Sequence, residues 1–505
     1  MASNPSLGLA RARTAWPGRK SHDAASWRDP HSAESLPTAI HYRYRAAVTP
    51  PCTFQPATKP ENPLRLHLAQ GVCDAHAIHS APSAPGNSAA ILVEETPDTL
   101  RILAAGDLDA VRAHPRAPAA AIVEWPDAIL MPATVNAHTH LDLTHIGPQP
   151  YNRNTGFLGW VDLIRDARTF DPAMLRASVR DGVARLRNAG VALVADIAGA
   201  RQTIPTQVLR EESFPSVSCL EVFGTGDRQR DTMRFLDEAI AHEATQPQHP
   251  VRFGLSPHAT YSCGHAVYLH AARCAAERDI PITTHLAETP EEYQFIAHAT
   301  GPLRTLLERL GVWDDATAAT IGHGLHPVEH LAPILERARF LVAHVNDAPD
   351  HAIETLARTN TGVAYCPRAS AYFHHHEQFG PHRYRDMIQA GILVALGTDS
   401  IVNLPPDESA SRLSTLDEAR FLHRRDRTDP ALLLRMITTN GALALGVDPE
   451  LFTLAPGPTA GIIAVNIDAP ARRAPDARTR VLESSAGIRW AECPHLPEQD
   501  RAERD

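Results

Sequence analysis

The stretch Met131-Pro-Ala-Thr-Val-Asn-Ala-His138-Thr-His140-Leu-Asp142 decides how this chain is read. An apolar run over residues 128–135 leads into two histidines spaced i, i+2. Side chains alternate faces along a strand, so His138 and His140 point to one side at the strand's C-terminal end. Two converging imidazoles are the beginning of a metal site. Such a pair needs further ligands, and the rest of the sequence has to supply them.

Working outward, apolar strand candidates recur at 128–137, 190–196, 216–223, 251–257, 280–286, 340–345, 361–366 and 392–398. Helical patterns lie between them, such as Trp160, Leu163, Ile164 and Ala167, or Leu303, Leu306, Leu307 and Leu310. Gly190 and Gly391 stand where a helix stops and the next strand begins. This alternation predicts an α/β fold, a TIM-type (β/α)8 barrel over residues 128–449. A doubly wound open sheet is the alternative, but no Gly-x-Gly-x-x-Gly turn follows a strand.

Residues 38–127 break into short β-prone runs at 41–48, 65–69, 89–94, 100–104 and 120–124. After a last helix at 430–445, the run 462–467 reads as a strand returning to them. Residues 38–127 and 450–470 therefore predict a small composite β-sandwich built from both chain ends. Residues 1–37 are rich in Ala, Arg, Ser and Pro without an apolar core segment, and read as a disordered tail. Residues 471–505, polar and proline-punctuated, read as a loose tail.

The chain has 505 residues, 43% hydrophobic and 21% charged, enough for a large domain and a smaller one. A net charge of −10 gives no basic surface for nucleic acid, and no apolar run reaches the ~20 residues of a membrane helix. Seven cysteines without a Cys-x-x-Cys pair argue against a disulfide framework and fit a reducing cytoplasm. Lys20 and Lys59 are the only lysines, so the barrel region has none.

Function in such a barrel gathers at the C-terminal strand ends. Those ends carry His138 and His140, Asp196, Ser256-Pro-His258, His285-Leu-Ala-Glu288, His344, Cys366-Pro-Arg368 and Gly397-Thr-Asp399-Ser400. His323 competes with His344 for the sixth strand, and a complete strand–helix unit after His344 favours the latter. The run His374-His-His376 has no strand end beneath it and reads as a solvated or rim loop.

The order His-x-His, His-x-x-Glu, His, Thr-Asp-Ser resembles the amidohydrolase superfamily, in its cytosine-deaminase-like and triazine-hydrolase-like branch. Asn136-Ala-His-Thr-His-Leu-Asp142 with Gly156-Phe157-x-x-Trp160 and Arg165 is similar to aminofutalosine deaminases. Ser256-Pro-His258-Ala-x-Tyr261-Ser is shared with methylthioadenosine/adenosylhomocysteine deaminases. Where that family usually has Gly-Lys-x-Ala-Asp near its end, this chain has Gly457-Pro-Thr-Ala460-Gly461.

The resemblance implies one divalent metal, Zn2+ with Fe2+ as the alternative, held by His138, His140, His285 and Asp399. A pair of metals bridged by a carboxylated lysine is ruled out in a barrel without lysine. Asp399 would take a proton from water, His344 would hydrogen-bond that water, and Glu288 would shuttle protons to the ring and the leaving amine. His258, Arg368, Trp160 and Phe157 are the expected substrate contacts. The implied reaction is deamination of an adenine-type nucleoside such as aminofutalosine, a small-molecule substrate, by a protein whose family allows a homodimer. Alternatives are triazine, guanine, cytosine or imidazolone-type hydrolysis, or an inactive scaffolding relative.

Overall fold

The computed structural model describes residues 63–80, 88–96, 99–247, 249–404 and 412–493. The predicted tail 1–37 and the predicted strand 41–48 lie outside the described residues. Eight parallel strands form the barrel: β1 (Thr134–Thr139), β2 (Val191–Ala198), β3 (Ser216–Val222), β4 (Val251–Pro257), β5 (Ile282–Leu286), β6 (Phe340–His344), β7 (Gly362–Tyr365) and β8 (Val394–Leu396). They neighbour one another in chain order. Helices such as Gly156–Ala167, Pro172–Asn188 and Pro302–Arg309 form the connections. The predicted glycine stops hold: Gly190 and Gly391 take φ of 73° and 84°, conformations that a Cβ disfavours.

One strand prediction is corrected. The run 128–137 is two strands, because the chain passes from one sheet to the other inside it. Ala121–Pro132 belongs to the second sheet, where it pairs with Leu64–Cys73 and Ile462–Asn466. The N–H of Ala133 donates to the carbonyl of Gly461, and the next, Thr134, donates to that of Gly190. Pro132 contributes no N–H, which helps the pairing change partners at that point. The predicted helix at 430–445 also divides, into Pro430–Ile437 and Thr439–Ala444, with Thr438 at φ −128°, ψ −97° between them.

The second sheet, also of eight strands, runs in the order Gly457–Pro458, Leu100–Asp107, Ala89–Glu95, Leu64–Cys73, Ala121–Pro132, Ile462–Asn466, Ile488–Glu492, with Ile78–Ser80 paired to Leu64–Cys73. It curls, and alternate residues feed two apolar layers: Ile91 and Val93 enter one, Ala90 and Leu92 the other. The loose tail expected from residue 471 is corrected over the described part. Ala477–Glu483 is a helix, and Ile488–Glu492 pairs antiparallel with Ile462–Asn466. Its polar residues are partnered: Glu492 binds Arg65 and His67, and the Trp490 indole N–H donates to Arg187 O at 2.7 Å. Gly461, at the departure from the family pattern, lies against Trp490 and Glu492, where a Cβ would sit 2.8 Å from the indole and 2.9 Å from a carbonyl oxygen.

Among the described residues no helix is long and apolar enough to cross a membrane. Cys73, Cys219, Cys263, Cys274 and Cys366 are buried free thiols.

The barrel closes between β8 and β1. The N–H groups of Thr398 and Asp399 donate to His138 O at 3.0 and 3.1 Å, and Thr139 Oγ1 donates to Asp399 O at 2.8 Å. Gly397 makes this approach possible, since a Cβ there would lie 2.8–2.9 Å from His138 N, O and Cβ. Gly397→Ala should therefore destabilise the fold by about 1–3 kcal/mol, as overpacking against backbone does. Denaturant unfolding measures the loss, and metal content should fall with it.

Candidate metal centre and active site

The ends of β1, β5, β6 and β8 converge on one point. The His140 and His285 Nε2 atoms are 3.2 Å apart, close to the ~3.3 Å edge of a tetrahedron of nitrogens around zinc. Asp399 Oδ1 lies 3.6 Å from His140 Nε2 and 3.8 Å from His138 Nε2. The His138 ring centroid is 4.9 Å from that of His285 and 5.5 Å from that of His344. Glu288 Oε1 stands 3.6 Å from His344 Nε2. The four expected ligands and the two further catalytic candidates are thus brought together.

Hydrogen bonds orient two of them. His285 Nδ1 faces the carbonyl of His258 at 3.0 Å, which leaves Nε2 pointing into the site. Asp399 accepts from the Ser400 N–H at 2.9 Å and from Asn403 Nδ2 at 2.6 Å. Three strand ends bend sharply: Ala287, His344 and Asp399 have φ of 51°, 74° and 56°. Non-glycine residues adopt such angles only where surroundings enforce them, at about 1–3 kcal/mol each.

The electrostatics suit a cation. Burial, followed by the neighbouring imidazoles, pushes His138, His140 and His344 well below the usual histidine range, so these rings are neutral. Burial raises the Asp399 carboxyl, with His285 opposing. His138 Nε2 is buried without a hydrogen-bond partner. A buried lone pair beside neutral imidazoles and a carboxylate is the donor set a divalent metal takes. The residues present therefore fit the metal that the sequence leads one to expect.

The remaining expected residues separate. His258 sits beside His285, with ring centroids 4.9 Å apart, and against Phe223 and Tyr261. Phe157 stacks on Trp160 at 5.8 Å, and both pack on Phe373; Trp160 Nε1 is buried without a partner. Arg368 is engaged elsewhere: its Nε donates to Glu418 Oε1 at 2.5 Å and its Nη2 to the carbonyls of Arg412 and Ser414. His323 lies exposed in a loop, and His344 ends the sixth strand. The solvated reading of the triple-histidine run is corrected for His375. That ring is buried 2.8 Å from Asn346 Nδ2, and burial lowers it to about 3.

Sequence reasoning missed Glu221 and Asn403. Glu221 ends β3, and its carboxylate lies with nitrogens of His258 and His285 inside a 4.8 Å cluster. A carboxylate at the end of the third apolar run is a signal of the same kind as those on the other strands. Arg168 links this edge to Asp142, with Nη1 3.4 Å from Asp142 Oδ2 and 3.7 Å from Glu221 Oε2. Asp196 is a support, since its Oδ1 accepts from the N–H of Leu141, next to His140, at 3.1 Å.

Residues 129–486 match the Amidohydrolase family, and the chain belongs to that family, a hydrolase of carbon–nitrogen bonds. It is 27% identical over 433 residues to the aminodeoxyfutalosine deaminase of Deinococcus radiodurans, across 81% of this chain and 94% of that protein. The crystal structure of Helicobacter pylori aminofutalosine deaminase in complex with methylthio-coformycin superposes with a TM-score of 0.65 at 17% identity, covering 84% of this chain and 97% of that one. An adenosine deaminase from Xanthomonas campestris with bound Zn superposes at 0.63 and 18% identity, covering 88% and 97%.

Two predictions follow from the supports around the ligands. Asn403→Ala should weaken metal retention about 10–100-fold, measured by competition with a chelator. Asp196 is raised to about 8 by burial, with Asp142 and Glu221 adding to it, whereas an unfolded aspartate titrates near ~4. Between those values the folded chain holds a proton that the unfolded chain has released, so stability falls as pH rises. The penalty is absent below about pH 4 and complete above about pH 8. Asp196→Asn should flatten this slope and gain on the parent by on the order of a few kcal/mol at pH 8, read from urea unfolding across the range.

Proposed function

We propose that this chain hydrolytically deaminates an adenine-type nucleoside such as aminofutalosine, in the cytoplasm, with one divalent cation held by His138, His140, His285 and Asp399. The observation that carries the reading is the meeting of those four side chains with His344 and Glu288 at one end of the barrel. When bound, such a cation lowers the pKa of a water from ~15.7 towards ~7. Zinc is the default for imidazole and carboxylate donors, and the bound Zn of the Xanthomonas campestris enzyme supports it.

The chain's own residues supply the proton chemistry. Asp399, steadied by Ser400 and Asn403, accepts a proton from the attacking water. His344 hydrogen-bonds that water and the developing tetrahedral carbon. Burial, then Asp399, Glu292 and Glu291, raise the Glu288 carboxyl well above its usual range, so it starts protonated. It donates to the ring nitrogen beside the attacked carbon. One proton lost by water passes through Asp399 to the leaving amine and the other returns to Glu288: the C–O bond forms, the C–N bond breaks and ammonia departs.

The wall of Phe157, Trp160, Tyr261 and Phe373 suits a flat purine and an apolar substituent. His258 and Glu221 suit ribose-like hydroxyls. Arg368 has no part in this reading, because Glu418 holds its guanidinium. The likeness to the Deinococcus radiodurans enzyme supports aminofutalosine over other adenine nucleosides.

The test is ammonia release from aminodeoxyfutalosine, adenosine, methylthioadenosine, cytosine and guanine, with zinc and with iron. The highest kcat/KM is expected for aminodeoxyfutalosine; ammonia from cytosine or guanine alone would overturn the reading. Glu288→Gln should retain the metal and lower kcat by about 10²–10⁴-fold.

A further inference from the structure

A second group of metal-ligating side chains lies on the outer ring of helices, apart from the barrel mouth. Helix Arg228–Glu243, after β3, packs against helix His265–Arg278, after β4. His270 and Cys274 are one turn apart on the second helix and share a face. Asp237 reaches them from the first. His270 Nε2 is 2.9 Å from Asp237 Oδ1 and 3.8 Å from Cys274 Sγ. The three donor atoms all lie within 4.8 Å of one another.

These spacings can be set against a zinc site. Bonds of ~2.05 Å to nitrogen, ~2.1 Å to oxygen and ~2.3 Å to sulfur give tetrahedral edges of ~3.4 Å for N···O and ~3.6 Å for N···S. The N···O and N···S spacings are each within about half an ångström of these edges. A hydrogen-bonded Asp237–His270 pair accounts for two of the atoms, but leaves the sulfur facing the same nitrogen. Exposure rises from the buried thiol through His270 at 11% to Asp237 at 60%. The group therefore opens outward, where water can complete the coordination. Arg273 Nη2 is 3.2 Å from His270 Nδ1. Arg273 is exposed, so it can swing aside when Nδ1 carries the ring proton.

We propose that Asp237, His270 and Cys274 form a second metal site, for a borderline-soft divalent cation of the zinc class, which clips the two helices together. A ligand that binds only the folded arrangement stabilises it. The site is independent of the reaction at the barrel mouth, where the proposed ligands are histidines and an aspartate.

That difference supplies the test. The full-length holoenzyme is titrated with Co2+ and followed for a thiolate-to-cobalt charge-transfer band in the near ultraviolet. One further equivalent of bound cobalt and such a band are expected, with the band abolished in Cys274→Ser. His270→Gln and Asp237→Asn, on partly exposed helix surface, should each weaken cobalt binding about tenfold or more, with ammonia release unchanged. No band at saturating cobalt, a band that survives Cys274→Ser, or unchanged affinity in His270→Gln would each overturn the proposal.

Discussion

The carbonyl of His138 accepting from the N–H groups of Thr398 and Asp399 is the contact on which the rest depends. It closes the barrel, and in the same step brings ligands from the first and last strands to one point. Residues more than 250 positions apart in sequence are held there by main-chain bonds, which side-chain motion does not loosen. Thr398 adds a second tie, accepting from Asn136 Nδ2 at 2.8 Å while its N–H donates to Asn136 Oδ1 at 3.2 Å. Fold closure and site assembly are one event here. A glycine at 397 follows from it, because no side chain fits between the two strand ends.

Burial sets the chemistry of what that seam brings together. Imidazoles withdrawn from water give up their charge, so His138, His140 and His344 are neutral donors. Carboxyls withdrawn from water hold their protons unless a cation or a set of donors compensates them. Asp399 has two such donors, and Glu418 has Arg368, although burial still raises both, Glu418 to about 7. The site is thus arranged for a positive charge that the protein itself does not supply. Arg168, between Asp142 and Glu221, is the nearby exception and is shared by those two carboxylates.

Much of this was legible in the chain because buried parallel strands are near-continuous apolar runs. The barrel strands fall on or at the end of such runs, and seven of the eight carry a histidine or carboxylate where the run ends. The break at Ala133 was not legible. It interrupts no apolar pattern and depends on carbonyls at Gly461 and Gly190, far along the chain. The segment ending at Glu492 was hidden for a related reason. Its charges look solvated in sequence, yet Arg65 and His67 take them up in the fold. Arg368 shows the converse: its position at a strand end was readable, while its partner on the helix Thr415–Asp426 was not.

The second sheet is therefore more than an appendage. Ala121–Pro132 lies between strands from upstream and downstream of the barrel, and two residues later its chain becomes β1. Any slip in register there would move His138 and His140 along the barrel axis, and a slip of one residue would turn them to the opposite face. Seven register pairs to Leu64–Cys73, five before an irregularity between Ala69 and Gly71 and two after it, and five to Ile462–Asn466 oppose such a slip. The strand carrying the two histidines is thus held by pairing on both sides before it enters the barrel. That gives a physical reason for both chain ends to return to one sheet: it fixes the height at which the first two ligands meet His285 and Asp399.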